Sequence, residues 1–256
     1  MTSEIQQQYQ RNPEYWRKDK PKLVGDLEQR PKAVEMLGNI YGKKVIDAGC
    51  GTGFVTRMIA RKGARVTGID ISEKMLDIAR EFEEKIPLGI SYEYGDIAKT
   101  NTTYNENSYD AISCTGVVHF LYPQEYKSFL QEARKLLKKD SPLVISLTHP
   151  TLFYPTSPAR TQENCWVKVS PNEDKPFDKS QRFDMHLYDT QGNCFDSSIW
   201  HHPISFLLNE LNQNGFNIDE VFESIFRKEH RLNSCWGDSY GYPSHLVIKA
   251  TSGGRR

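Results

Sequence analysis

A short apolar segment that runs directly into three closely spaced glycines constrains this chain most strongly. Residues 45–48, Val-Ile-Asp-Ala, are followed by Gly49-Cys50-Gly51-Thr52-Gly53, and helical spacing of apolar residues begins at Phe54. Glycine adopts backbone angles that other residues avoid, and it lets a ligand lie against the main chain. The sequence therefore predicts a buried strand, a tight turn and a helix N-terminus that together hold a ligand.

The spacing of these glycines argues against a bound dinucleotide. They follow the pattern G-x-G-x-G, whereas the dinucleotide fingerprint is G-x-G-x-x-G. The acid Asp47 lies two residues before Gly49, where it would repel a pyrophosphate and suit a cationic ligand. The segment resembles the first motif of the class I methyltransferases. These enzymes use S-adenosylmethionine, which carries a sulfonium and an ammonium, so the resemblance implies that cofactor here.

Two further acids follow predicted strands. Residues 65–70 alternate in polarity and end at Asp70, where a carboxylate in nucleotide-binding α/β units accepts hydrogen bonds from ribose hydroxyls. The alternative is that Asp70 only assists the helix that begins near Ser72. Residues 90–97 end in Gly95-Asp96-Ile97, which resembles the adenine-contacting position of the superfamily, although a plain turn aspartate is the alternative.

The fourth and fifth predicted strands supply the candidates for chemistry. Residues 109–114 lead into Thr115 and Gly116, which in related enzymes lie near the methionine portion of the cofactor. His119 is the first candidate for proton transfer, because a free imidazole titrates near pH 6.5. The alternative is a packed histidine, since its neighbours are apolar. His149 ends the fifth strand and is the second candidate catalytic residue.

The resemblance implies a defined set of cofactor contacts. The aromatic residues Tyr9, Tyr15 and Trp16 commonly form a lid in similar enzymes, or they anchor a surface segment. Cofactor contacts are expected from Asp47, Gly49, Cys50, Gly51, Gly53, Asp70, Ile71, Met75, Asp96, Ile97, Thr115 and Gly116, with Tyr15 and Trp16 covering them.

Strands and helices alternate up to about residue 149, which predicts a parallel, doubly wound α/β sheet. Helices are expected at 31–41, 72–85, 123–139 and from residue 203, and a buried fifth strand at 143–147. The resemblance implies a Rossmann-like seven-stranded sheet of order 3-2-1-4-5-7-6, with the last strand antiparallel and helices on both faces. We expect a lid segment at 1–30, a methyltransferase domain at 31–250 and a loose tail at 251–256. An insertion at about 150–200, with a hairpin at 182–188 and 194–200, would cover the acceptor.

Composition narrows the partners. Lys and Arg total 33, Asp and Glu also total 33, and no long basic run occurs, so we expect no nucleic-acid partner. The five cysteines are dispersed, and no apolar run approaches the ~20 residues of a membrane helix. We therefore expect a cytoplasmic protein, a monomer or homodimer, without a membrane partner. The spacing of His, Cys and carboxylate residues along the sequence indicates no metal site.

The sequence thus predicts transfer of a methyl group from S-adenosylmethionine to an oxygen, nitrogen or carbon of a small-molecule metabolite. Two alternatives stay open. One is a nicotinamide-dependent oxidoreductase on a similar sheet. The other is a regulatory protein that binds S-adenosylmethionine without catalysis.

Overall fold

The computed structural model describes residues 3–21, 23–99, 104–154, 157, 167–169, 179–188, 194–225 and 241–253. Its strands are β1 (Lys44–Ala48), β2 (Arg65–Asp70), β3 (Ser91–Tyr94), β4 (Ala111–Thr115), β5 (Pro142–Thr148), β6 (Val167–Val169), β7 (Gln181–Tyr188), β8 (Cys194–His201), β9 (Phe216–Ile225) and β10 (Pro243–Ser252). Its α-helices are α1 (Ser3–Arg11), α2 (Gln29–Met36), α3 (Phe54–Arg61), α4 (Glu73–Lys85), α5 (Pro123–Leu136) and α6 (Ile204–Gln213). Short 3-10 helices span Pro13–Trp16, Val24–Asp26, Val118–Phe120 and Pro150–Phe153.

Seven strands form the main sheet in the order β3-β2-β1-β4-β5-β10-β9. The pairs from β3 to β5 are parallel, and β10 is antiparallel to both of its neighbours. The predicted order 3-2-1-4-5-7-6 and its antiparallel last strand are therefore confirmed. Because the parallel strands share one carboxyl edge, the segments that follow β1, β2 and β4 meet there.

Helices cover both faces of this sheet. In β1, Val45 packs into an apolar cluster with α2, α3 and α4, while the next residue, Ile46, packs into a second cluster with α5 and α6. The central strand β5 is buried on both faces, which explains its continuous apolar run.

Several predicted boundaries were wrong by a few residues. Helix α2 begins at Gln29 and ends at Met36, because Gly38 turns the chain with a positive φ of 77°. Helix α5 ends at Leu136, since Leu137 is already extended. The predicted tail at 251–256 was wrong for its first two residues: Thr251 pairs with Pro142, and β10 continues to Ser252.

The segment after β5 forms a separate three-stranded sheet, β6-β7-β8. The hairpin expected at 182–188 and 194–200 is present as β7 and β8, and its connection at 189–193 lies outside the described residues. Strand β6 was not predicted. The inner face of this sheet packs with Tyr15, Leu23 and Phe120 in one apolar cluster, so the insertion lies against the N-terminal segment.

Within the described residues, no helix is both long and apolar enough to cross a membrane.

Candidate functional site

A large cavity opens at the carboxyl edge of the main sheet, above β1, β2 and β4. It contains about 1300 Å³ of empty space, part of it open to solvent. Thirteen of the predicted site residues line it, namely Trp16, Asp47, Gly49, Cys50, Gly51, Asp70, Ile71, Met75, Asp96, Ile97, Thr115, Gly116 and His119. Gly53, Tyr15 and His149 are absent from its lining. Residues from five separate parts of the chain are thus brought together as the sequence predicted, with three exceptions.

The glycines of the turn after β1 divide into two kinds. A Cβ atom on Gly49 would lie 2.3 Å from Cγ2 of Val117, and one on Gly53 would lie 2.3 Å from Oη of Tyr92. These two glycines therefore permit close packing, and Gly53 is the N-cap of α3 rather than a wall of the cavity. A Cβ atom on Gly51 would meet nothing closer than Met75, at 3.9 Å. Gly51 thus leaves open space beside its backbone, where a ligand fits.

Gly116, after β4, is the second place where the backbone borders open space. Its φ is 74°, and the nearest atom to an added Cβ would be Nη2 of Arg30, at 3.8 Å. Its own N–H donates to the carbonyl of Ser146, which fixes the turn. Thr115 beside it lies 3.3 Å from Ser113, hydroxyl to hydroxyl.

The carboxylate of Asp70 holds the turn in place. One oxygen accepts the backbone N–H of Gly51 and the other accepts that of Ser72, both at 2.8 Å. Burial raises the pKa of Asp70, and these backbone N–H groups oppose the shift. The helix-start role that the sequence allowed is therefore present. Contact with a ribose stays a prediction.

Asp47 is buried below the turn. Its carboxylate accepts a hydrogen bond from the hydroxyl of Thr56 on α3, at 2.7 Å. Burial raises the pKa of Asp47 to about 6. Burial disfavours the ionised form of this carboxylate, and a cation bound nearby would favour that form again. The raised pKa therefore agrees with the cationic ligand predicted from the position of Asp47.

Asp96 forms the far wall with Ile97. Its Oδ1 accepts the backbone N–H of Ala98 at 3.0 Å, and Lys99 lies 3.1 Å from its Oδ2. These contacts are those of a turn aspartate. Since Asp96 and Ile97 line the cavity, as Ile71 does, the adenine-contacting role stays a prediction that the placement permits.

His119 lies in the cavity with a defined tautomer. Its Nδ1 accepts the backbone N–H of Thr148 at 3.3 Å, so the proton of the neutral ring is on Nε2. Burial, with smaller effects of His202 and Arg30, lowers its pKa to about 3. The proton-accepting role predicted from a free imidazole conflicts with this geometry. What the site offers instead is an Nε2–H hydrogen-bond donor.

His149 does not reach the cavity, and its prediction as a catalytic residue was wrong on placement. Its Nδ1 accepts the backbone N–H of Thr151 at 3.2 Å and caps the short helix Pro150–Phe153. Its Nε2 lies 2.9 Å from Oε1 of Glu223 on β9. The prediction that His149 follows β5 was correct, but its side chain turns toward the neighbouring strands.

The N-terminal aromatic residues differ in role. Tyr15 was predicted to contact the cofactor, but it lies behind the cavity wall, donating its hydroxyl hydrogen bond to the carbonyl of Leu187 at 3.0 Å. Trp16 and Tyr9 do line the cavity. The segment is fixed to the glycine turn, because Thr52 donates to the carbonyl of Trp16 at 2.9 Å. It is therefore both an anchor and a wall.

Two cationic side chains in the cavity wall were not predicted from the sequence. Lys18 and Arg30 both line the cavity, and each binds the buried Oδ1 of Asp26, at 2.5 and 2.6 Å. Two positive groups share one carboxylate, and the charge of Arg30 also acts on the buried Asp47. No local motif marks these residues; the only signal was a cluster of charges just before the first predicted helix.

Gln29 is a third cavity residue that the sequence analysis did not identify. Its Nε2 donates to the hydroxyl of Ser146 at 2.7 Å, while its Oε1 is buried with no hydrogen-bond partner among the described residues. Thr148 and His245 line the same end of the cavity.

The insertion supplies an apolar wall. Met185 and Leu187 of β7 line the cavity together with Phe120 and Leu23. That the insertion covers an acceptor stays a prediction, and this apolar wall is compatible with it.

Part of the chain matches known proteins. Residues 45–140 match a family described as a methyltransferase domain. A ubiquinone biosynthesis O-methyltransferase of Actinobacillus pleuropneumoniae is 34% identical over 121 residues, which cover 46% of this chain and 51% of that protein. A demethylmenaquinone methyltransferase of Tropheryma whipplei is 34% identical over 157 residues, covering 59% of this chain and 62% of that protein. The matched region thus spans between half and two thirds of these relatives.

Solved structures share the fold. A crystal structure of an S-adenosylmethionine dependent methyltransferase from Mesorhizobium loti superposes with a TM-score of 0.62. It is 21% identical, and the alignment covers 90% of this chain and all (100%) of that one. At this identity the likeness concerns the fold.

Proposed function

We propose that this chain, whose residues 45–140 match a methyltransferase domain, is a class I S-adenosylmethionine-dependent methyltransferase that methylates a small-molecule acceptor. The observation that supports this most is the continuity of one cavity. It joins the open glycine turn and its carboxylates to an apolar wall built by Phe120, Met185 and Leu187. A cofactor and a second molecule could therefore lie in contact.

The residues of the first half fit S-adenosylmethionine. When bound, this cofactor supplies a methyl group already activated by a sulfonium. Open space beside Gly51 and Gly116 admits the ligand against the backbone. Asp70 would accept the ribose hydroxyls, Asp96 the adenine amine, and Arg30 would bind the carboxylate of the methionine portion.

The second half suits an acceptor with an apolar, flat body and one polar atom. Met185, Leu187 and Phe120 provide apolar contact, and His119 directs its Nε2–H as a donor. The matched relatives are named for ubiquinone biosynthesis and for demethylmenaquinone. Among the oxygen, nitrogen and carbon nucleophiles, these names favour a hydroxyl or ring carbon of a quinone-type molecule.

The protein contributes to the reaction chiefly by proximity and charge. His119 is held neutral, so it orients the acceptor rather than taking its proton. Hydrogen bonding by Nε2–H would favour an acceptor oxygen that has already lost its proton to solvent.

Two alternatives can be separated by one titration. Calorimetry of the purified chain with S-adenosylmethionine, S-adenosylhomocysteine and NADH should give micromolar binding of the first two and none of the third. Binding of NADH alone would favour the oxidoreductase, and binding of none would contradict the cofactor site. A screen of phenolic and quinol acceptors with isotopically labelled methyl donor then distinguishes an enzyme from a regulatory binding protein, which would bind the donor and transfer nothing.

A further inference from the structure

Three side chains of metal-ligand type meet on the outer face of the β7–β8 hairpin. Nδ1 of His186 lies 2.7 Å from Oδ1 of Asp196, and Sγ of Cys194 lies 3.2 Å from the same oxygen. One ligand atom from each of the three residues lies within 4.8 Å of the other two. All three side chains are accessible to solvent to a substantial degree.

Strand pairing creates this trio. His186 lies directly opposite Asp196 in the antiparallel register, and Cys194 is two residues before Asp196, hence on the same face. The linear spacing of the sequence showed no metal motif, because the ligands come from two strands. The inner face of the same hairpin carries Met185 and Leu187, which line the large cavity.

We propose that His186, Cys194 and Asp196 bind a divalent transition metal of borderline softness, with Zn²⁺ as the physiological ion. Imidazole, thiolate and carboxylate are the ligands that Zn²⁺ takes, whereas Mg²⁺ and Ca²⁺ prefer oxygen alone. The thiol releases its proton to solvent as the metal–sulfur bond forms. Thiolate and carboxylate together then balance the two charges of the ion, and water completes the fourth position.

The geometry requires only a small adjustment. Ligand atoms at about 2.0–2.3 Å from a tetrahedral zinc ion are about 3.3–3.6 Å from one another. The two contacts to Asp196, at 2.7 and 3.2 Å, must therefore open by less than ~1 Å. The imidazole and thiol ligand atoms, which lie within 4.8 Å of each other, must close by at most ~1.5 Å. The side chains of His186 and Asp196 are 41% and 75% exposed, so rotation of these side chains meets little obstruction.

A metal at this position would join β7 to β8 on the face opposite the cavity. It would stabilise the hairpin whose other face provides the apolar wall. The ion would not touch the cavity, so its effect on the site is one of rigidity.

Titration with Co²⁺ tests the site directly, because a thiolate ligand gives a charge-transfer band in the near ultraviolet. The native chain should bind one equivalent with this band, and Zn²⁺ should displace it. His186→Ala and Asp196→Asn should each weaken binding by about tenfold or more. Cys194→Ser should abolish the band, which separates this thiol from Cys165 and Cys235 outside the described residues. The matched control is Asp184→Asn, which removes an exposed carboxylate two residues from His186 on the same face.

Heating in the presence of Zn²⁺ gives a second readout. The melting temperature should rise with Zn²⁺ in the native chain and the Asp184→Asn control, and stay unchanged in Cys194→Ser. Equal melting temperatures without metal show that the variants fold. Absence of the band in the native chain, or a band that survives Cys194→Ser, would overturn the assignment.

Discussion

Alanine substitutions in the glycine turn should separate ligand binding from packing. Gly51 and Gly53 lie two residues apart, and both have positive φ, 54° and 75°. Gly51 borders the cavity, whereas Gly53 is packed against Tyr92. We predict that Gly51→Ala chiefly weakens the binding of S-adenosylmethionine and that Gly53→Ala chiefly destabilises the fold.

The magnitudes follow from the surroundings of each added Cβ. Both alanines lose about 1–2 kcal/mol of folding free energy to the left-handed backbone. At Gly53 the methyl group would lie 2.3 Å from Oη and 2.9 Å from Cζ of the buried Tyr92, so overpacking adds about 1–3 kcal/mol. Since 1 kcal/mol lowers the melting temperature of a chain this long by about 2–4 °C, Gly53→Ala should melt roughly 6 °C below Gly51→Ala.

At Gly51 the methyl group enters space that the cofactor would occupy. A loss of about 1.4 kcal/mol or more, hence at least about tenfold in affinity, is expected by calorimetry. Gly38→Ala is the control for backbone strain alone, because Gly38 has a φ of 77° and its Cβ would meet nothing within 4 Å. Wild-type affinity in Gly51→Ala, or equal melting of Gly53→Ala and Gly38→Ala, would refute the division of the turn into ligand and packing glycines.

Substitutions at three further residues test single groups. Burial raises the pKa of Asp47 to about 6, above its ordinary 3.8, so its effect on stability is most favourable below pH 3.8 and is lost as the pH rises through 6. Asp47→Asn should therefore gain stability relative to the native chain between pH 4.5 and 7.5, by on the order of 2 kcal/mol in urea denaturation; an unchanged difference would count against a carboxylate strained by burial. Asp70→Ala should weaken S-adenosylmethionine binding by about 1–3 kcal/mol, and unchanged affinity in the folded variant would remove the ribose assignment. His119→Ala should lower kcat and leave cofactor affinity intact, whereas His119→Gln, which keeps a donor near Nε2, should recover part of the rate. Because the pKa of His119 is about 3, neither variant should change the pH–rate profile between pH 5 and 8; a limb near pH 6.5 that disappears in His119→Ala would restore the proton-accepting role.

Local sequence patterns were sufficient for the glycine turn and for the strand and helix on either side of it. Alternating apolar residues and glycine spacing specified β1, its turn and α3, and they placed Asp70 and Asp96 at the correct strand ends. These features depend on interactions between residues close in sequence, so the chain records them directly. Boundaries were less accurate, because Gly38 and Leu137 end their helices through backbone angles that periodicity does not encode.

The sequence by itself determined the strand order, through a resemblance carried by its motifs, and the residues that border the cofactor half of the cavity. Only the tertiary structure decided the directions of side chains and the contacts between distant segments. His149 follows the expected strand, yet its side chain turns away to cap a helix. His119 is neutral because it is buried, and the backbone N–H of Thr148 fixes its tautomer. Arg30 and Lys18 reach the cavity through a shared buried carboxylate, and the trio on the hairpin exists only through strand register. Charge state, burial and cross-strand proximity depend on residues far apart in the chain, and folding alone brings those residues together.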